Sequence, residues 1–81
     1  MNVTVFSTTS CGICHALMQW LDKNNIKYTN KVIDEEDSAM ADFLAVNDGM
    51  IGTPFSVIEN GNEVVKIAGF DQPKFKSVLS L

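Results

Sequence analysis

Cys11 and Cys14 are the only two cysteines in a chain of 81 residues, and they stand three positions apart. A disulfide between them would close a loop of about four residues, which the chain-entropy model values at roughly 2 kcal/mol, against nearly 5 for a 100-residue loop. Such a bond is a weak staple. The spacing therefore points to sulfur chemistry, of which three kinds use it: redox exchange, metal ligation and covalent haem attachment. Cys11-Gly12-Ile13-Cys14-His15 matches, letter for letter, the CxxCH pattern in which two thioethers hold a porphyrin and the histidine ligates its iron. Met40 or Met50 would then be on offer as the second axial ligand. For structural zinc the count is short, since such a site takes four ligands and only His15 adds to the two thiols. An iron–sulfur cluster shared between two chains stays open as well.

The elements around the pair can be read from periodicity. Asn2 to Ser7 is a β-favouring run with Val3, Val5 and Phe6, and the polar stretch Ser7-Thr8-Thr9-Ser10 ends it in a loop. Ser10 reads as the N-cap of a following helix. Ile13, Ala16, Leu17, Trp20, Leu21 and Asn24 recur at i, i+3, i+4, i+7, i+8 and i+11, which predicts an amphipathic helix over 12–23, closed by Asn24-Asn25. Residues 26–33, with Ile26, Tyr28, Val32 and Ile33, predict a second strand whose weak alternation suits an edge. The acidic run Asp34-Glu35-Glu36-Asp37 reads as a solvated helix start, where the macrodipole favours negative charge. Met40, Phe43, Leu44 and Asn47 mark that helix's face, and Asn47-Asp48-Gly49 stops it.

Gly52-Thr53-Pro54 leads into Phe55–Glu59, which Asn60-Gly61 separates from Asn62–Ile67; Asn-Gly between two apolar runs is the strongest short-range hairpin signal. Asp71 then caps a terminal helix, with Pro73 in its first turn and Phe75, Val78 and Leu79 on one face. Trp20, Phe43, Phe55, Phe75 and the internal methionines read as core. Phe70, an aromatic in a loop, reads as exposed for binding, and His15 as a surface residue in the first helical turn. The expected order is β-α-β-α-β-β-α, an α/β domain whose four-stranded mixed sheet carries helices on both faces. Cys11 then falls at the carboxyl end of the first strand and at the start of the first helix, where open α/β sheets place their ligand sites.

A helix start presents unpaired N–H groups and partial positive charge, so it favours a thiolate at Cys11. A fall in its pKa from about 8.5 to about 6 would raise the thiolate fraction at pH 7 about 30-fold. Intrinsic nucleophilicity would fall about 18-fold, leaving a net gain in attack of about twofold. The larger benefit is that such a sulfur leaves readily when a second thiol expels it, and Cys14 at i+3 is within reach to do so. The sharper role for His15 is electrostatic support of that thiolate from i+4.

Composition bounds the rest. The chain is 46% hydrophobic and 20% charged, which suits one globular domain over residues 1–81. Ten acidic residues against six lysines and no arginine leave a formal charge of −4, so there is no basic patch for nucleic acid or an anionic membrane. With no long apolar run and no signal-peptide pattern, the expectation is a cytoplasmic monomer.

CxxC after a strand, opening an amphipathic helix, and some 40 residues before a Thr-Pro that opens another strand, resembles the glutaredoxin family within the thioredoxin-like fold. The likeness runs over nearly the whole chain and is most specific to the small glutaredoxin-like (NrdH-type) redoxins, including those that reduce ribonucleotide reductase. It implies a dithiol–disulfide oxidoreductase with Cys11 as nucleophile and Cys14 as resolving thiol. Pro54 would be a cis-proline facing them, with the Thr53 backbone pairing with an extended substrate. Ser10, Gly12 and Ile13 around the sulfurs and Gly69-Phe70-Asp71 after the last strand would complete the groove. No bound cofactor is implied. The implied partners are a disulfide-bearing protein and an electron donor, either glutathione as co-substrate or thioredoxin reductase. Many glutaredoxins carry Cys-Pro-Tyr-Cys and a nearby basic residue that binds glutathione, whereas here Cys11-Gly12-Ile13-Cys14 follows only Ser and Thr. Gly69-Phe70-Asp71-Gln72-Pro73 is closer to the Gly-Phe-x-Pro turn of reductase-linked redoxins, and no Trp precedes Cys11 as in ordinary thioredoxins.

Overall fold

The computed structural model describes residues 1–81. Its elements are β1 (Asn2–Ser7), α1 (Gly12–Lys23), β2 (Thr29–Val32), α2 (Asp37–Val46), β3 (Phe55–Asn60), β4 (Glu63–Ala68) and α3 (Gln72–Leu79). The four strands lie in the order β2-β1-β3-β4. β1 runs parallel to β2, as the intervening α1 requires, and antiparallel to β3, which pairs antiparallel with β4. This is the four-stranded mixed sheet that the element order led us to expect.

Strand alternation sorts the core into two layers. Val3 and Val5 of β1 join Ile58 of β3, Ile67 of β4, Leu17 and Leu21 of α1, and Phe75 and Leu79 of α3 in one cluster. Phe6 joins Phe55 and Val57 of β3 and Phe43 of α2 in another. Helices α1 and α3 thus cover one face and α2 the other. Val5, Leu17, Leu21, Ile58 and Phe75 are wholly buried, so the larger layer anchors the helix that carries the sulfurs.

Several local expectations need correction. The inward side of α1 is Cys14, Leu17 and Leu21, whereas Ile13 is 59% exposed and Ala16 is exposed too. The stripe is rotated by one position because the small sulfur side chain packs inward as an apolar group. On α2 the buried residues are Ala39 and Phe43, with Met40 and Leu44 turned outward. β2 is shorter than 26–33. Ile26 donates its N–H to Leu21 O at 2.9 Å and Asn25 takes a left-handed φ of 58°, so this stretch completes the α1 C-terminus and is not free to ladder. Ile26 and Tyr28 still pack on the core, and β2 lies at the edge as expected. The hairpin forms one residue later than Asn60-Gly61 suggests. Asn60 pairs with Glu63, which leaves Gly61 at the first central position with φ 63°, a place a two-residue turn reserves for glycine.

Ser56 sits in β3 between Val5 and Ile67, fully buried, and its Oγ has no hydrogen-bond partner. An unmade buried hydrogen bond costs about 1–3 kcal/mol, more than the packing lost with one oxygen atom. Ser56→Ala is therefore expected to raise stability by about 1 kcal/mol. Urea unfolding checks this, and a lower midpoint in the variant would mean that the hydroxyl is satisfied after all.

Candidate active site

β1 delivers the chain to the sulfurs through a short, strapped loop. Ser7, buried at its end, donates its hydroxyl to Asn30 Oδ1 at 2.6 Å, and its carbonyl accepts from Ile33 N–H at 2.9 Å. Thr9 donates its N–H to both carboxylate oxygens of Asp34 at 3.1 and 3.2 Å and its hydroxyl to Oδ2 at 2.6 Å. Thr8 O accepts the Cys11 N–H at 3.3 Å. Asp34 is thus more than part of a solvated acidic run.

Cys11, not Ser10, is the N-cap of α1. Its backbone is extended, at φ −88° and ψ 100°, and its Sγ accepts the Cys14 N–H at 3.1 Å, the role a serine oxygen fills in other helices. Ser10 stays exposed in the preceding turn. Cys11 and Cys14 are disulfide-bonded, with Cα atoms 5.2 Å apart. Their environments differ: Cys11 is partly exposed and Cys14 wholly buried. Gly12, Ile13 and His15 lie exposed around them.

Two further loops meet this end of the sheet. Thr53–Pro54 is a cis peptide, and the Phe6–Phe55 pairing sets the buried Pro54 beside the end of β1. Thr53 is partly exposed and its amide and carbonyl make no backbone hydrogen bond. Pro54 O accepts Gly69 N–H at 2.8 Å, which brings the end of β4 alongside. Gly69 has φ 74°, a conformation that side chains disfavour. Asp71 caps α3, accepting the Lys74 N–H at 3.3 Å.

Phe70 departs from expectation. It is half-buried, its ring 5.6 Å from that of Trp20 and 6.3 Å from that of Phe75, so it braces the Gly69–Asp71 loop against α1 and α3. The apolar groups that do face solvent in this region are Ile13 and, between Gly49 and Gly52, Met50 at 45% and Ile51 at 96% exposure. Reading Met50 as core was wrong and Ile51 was missed. The two flanking glycines are the signal that marks an exposed loop. None of the six lysines falls in residues 7–14, 48–54 or 69–71.

The Thr9 hydroxyl, and after it the Thr9 amide, hold the Asp34 carboxyl below the usual carboxylate range, although desolvation opposes them. A depressed folded value means that the contribution is complete above the ordinary carboxylate range and is lost as pH falls through the lower folded value. We expect the Thr9 amide resonance to titrate with the Asp34 carboxyl on acidification. Thr9→Val should move that carboxyl back up, and NMR titration of both variants checks it.

A glutaredoxin family model matches residues 3–57, from β1 into β3. Among solved structures, a mutant of the thioredoxin-like protein BC3987 is 26% identical, with 98% of this chain and 95% of that one covered at a TM-score of 0.77. NrdH-redoxin from Escherichia coli shares the fold at 20% identity, with 98% and 95% covered and a TM-score of 0.74. The glutaredoxin of a buckwheat glutaredoxin–glutathione complex is 25% identical, with 98% and 70% covered and a TM-score of 0.67. No curated protein matches the sequence. The CxxCH letters sit in a chain that the glutaredoxin family model matches from β1 into β3, which favours the redox reading of the pair over haem attachment. The sulfur pair at the head of α1 and the family match converge, and the chain belongs to the glutaredoxin family of thiol–disulfide oxidoreductases.

Proposed function

We propose that Cys11 attacks a protein disulfide and Cys14 resolves the product, with electrons supplied by a protein dithiol such as thioredoxin reductase rather than by glutathione. The observation that carries this reading is the unequal burial of the pair, one sulfur partly open and the other enclosed. The Cys11 thiolate attacks one substrate sulfur, and the second leaves as a thiolate and takes up a proton. Cys14 loses its proton and attacks Cys11 Sγ, releasing the first substrate sulfur. Two electrons and two protons pass to the substrate, and the internal disulfide remains. In this reading the substrate backbone pairs with Thr53 beside Pro54. Ser10, Gly12 and Ile13 form one side of the groove and Gly69, Phe70 and Asp71 the other.

The donor assignment rests on charge. Glutathione carries two carboxylates and one ammonium group, and the three loops around the pair hold no lysine or arginine to receive the carboxylates. Ribonucleotide reductase is a fitting protein substrate, given the resemblance to redoxins that serve it. The same reading has residues 1–81 acting as a single cytoplasmic domain, monomeric and without a resident cofactor. Glutathione remains the second donor, supported by the likeness to a glutaredoxin solved with it. Reduction of the oxidised protein by thioredoxin reductase with NADPH, compared with reduction by glutathione at physiological concentration, decides between them. We expect the reductase to be faster by at least about tenfold, a gap of 1.4 kcal/mol in barrier; faster reduction by glutathione would reverse the donor assignment.

A further inference from the structure

Asp34 lies in none of the three loops around the sulfurs, yet it takes three hydrogen bonds from Thr9, two residues before Cys11. The segment between β1 and α1 has little else to hold it. Thr8 contributes only its carbonyl, at 3.3 Å from the Cys11 amide, and Ser10 makes no hydrogen bond at all. The cap geometry of Cys11, which aims Sγ at the Cys14 N–H, therefore depends on the direction in which Thr9 and Ser10 deliver the chain. That direction is set from the far side by a carboxylate 25 residues away in sequence.

We propose that Asp34 is a positioning residue for the Cys11 sulfur, fixing the entry of the chain into α1 through Thr9 and so keeping Sγ at the cap, where the Cys14 amide and the helix end favour the thiolate. This rests on the reading of Cys11 as the attacking thiol. Asp34 acts on that sulfur in two opposed ways. As a charge it disfavours a neighbouring thiolate, but between exposed groups in water this amounts to only about fivefold in thiolate population even at a separation of about 4 Å, and distance and salt reduce it further. As an anchor it preserves the surroundings of a helix N-terminus, which lower thiol pKa values by one to several units, tenfold or more in thiolate population. The anchoring effect is the larger. The other ionisable side chains on the elements meeting here are His15 on α1, Glu35 and Glu36 after Asp34, Asp48 paired with Lys66, and Asp71 at the head of α3, and all four of these acids and His15 are exposed.

The two effects predict opposite signs, so one measurement separates them. The reduced full-length protein is alkylated with iodoacetamide between pH 4 and 9, and the extent at Cys11 is read by peptide mass spectrometry. Asp34→Ala should move the midpoint of the profile upward and slow alkylation at pH 6 by at least about threefold. Asp34→Asn keeps an acceptor oxygen for Thr9 and should stay within about twofold of the native protein. Thr9→Val, which loses only the hydroxyl bond, should shift the midpoint in the same direction by less, and it keeps the test alive if Asp34→Ala does not fold. A midpoint that is unchanged or lowered in folded Asp34→Ala or Thr9→Val overturns the proposal; a loss of thermal stability alone is what a merely structural role predicts. If Cys11 in the native protein is no more reactive than Cys14, the functional reading itself fails, and the positioning role with it.

Discussion

Cys11→Ser is expected to bring disulfide turnover down to background, a loss of at least about a hundredfold, because a serine hydroxyl is not ionised near neutral pH and the neighbouring sulfur cannot substitute. Cys14 is buried on the inner face of α1 and cannot meet a protein disulfide without displacing the helix from Leu17 and Leu21. The companion change has a different outcome. Cys14→Ser leaves the attacking sulfur in place and removes the group that expels the substrate, so covalent adducts should accumulate and be visible as a mass increase on the intact protein. A small excess of thiol should resolve them and restore part of the activity. Kinetics on a model protein disulfide, together with intact mass, check both variants. Full activity of Cys11→Ser would remove the attacking role from this residue.

The second large effect is on stability. Phe75 is fully buried and its ring lies 6.1 Å from Trp20 and 6.3 Å from Phe70, so it joins α1, α3 and the loop that follows β4. Truncating a buried phenylalanine to alanine costs about 3–5 kcal/mol. A chain of this length has a total stability of about 4–12 kcal/mol, so Phe75→Ala removes a large share of it. The loss should be felt first in α3, an eight-residue helix whose only fully inward side chains are Phe75 and Leu79. A helix so short does not persist in water without its docking contacts. Chemical denaturation followed by circular dichroism should show a markedly lower midpoint, with amide exchange fastest across residues 69–79. A cost below about 1 kcal/mol would mean that the surroundings close over the space.

The element order, the parallel and antiparallel pairings and the position of the sulfurs were legible because each depends on short-range patterns. Alternation at Val3 and Val5, the glycine turn after Asn60, and the Asp71 cap with Pro73 behind it all act within a few residues. What failed to show depends on contacts between distant segments. Cys14 was weighed for its chemistry, so its burial and the consequent rotation of α1 were not foreseen. Periodicity counted Ile13 in the apolar stripe of α1, whereas the family resemblance set it beside the sulfurs; the side chain faces outward. The tie between Thr9 and Asp34 spans two connections and leaves no mark in either segment alone. Phe70 could be placed in a loop, but only the neighbouring rings of Trp20 and Phe75 reveal that it braces that loop. The candidate groove residues of the three loops came from the family resemblance; pattern alone singles out only the cysteines.

The concealment of Cys14 has a consequence for traffic through this molecule. Since only Cys11 opens to the outside, whatever brings electrons and whatever takes them must use the same doorway, one after the other. On the proposed roles donor and acceptor cannot be engaged together, so the protein works as a courier that leaves one partner before greeting the next, and its turnover should follow ping-pong kinetics.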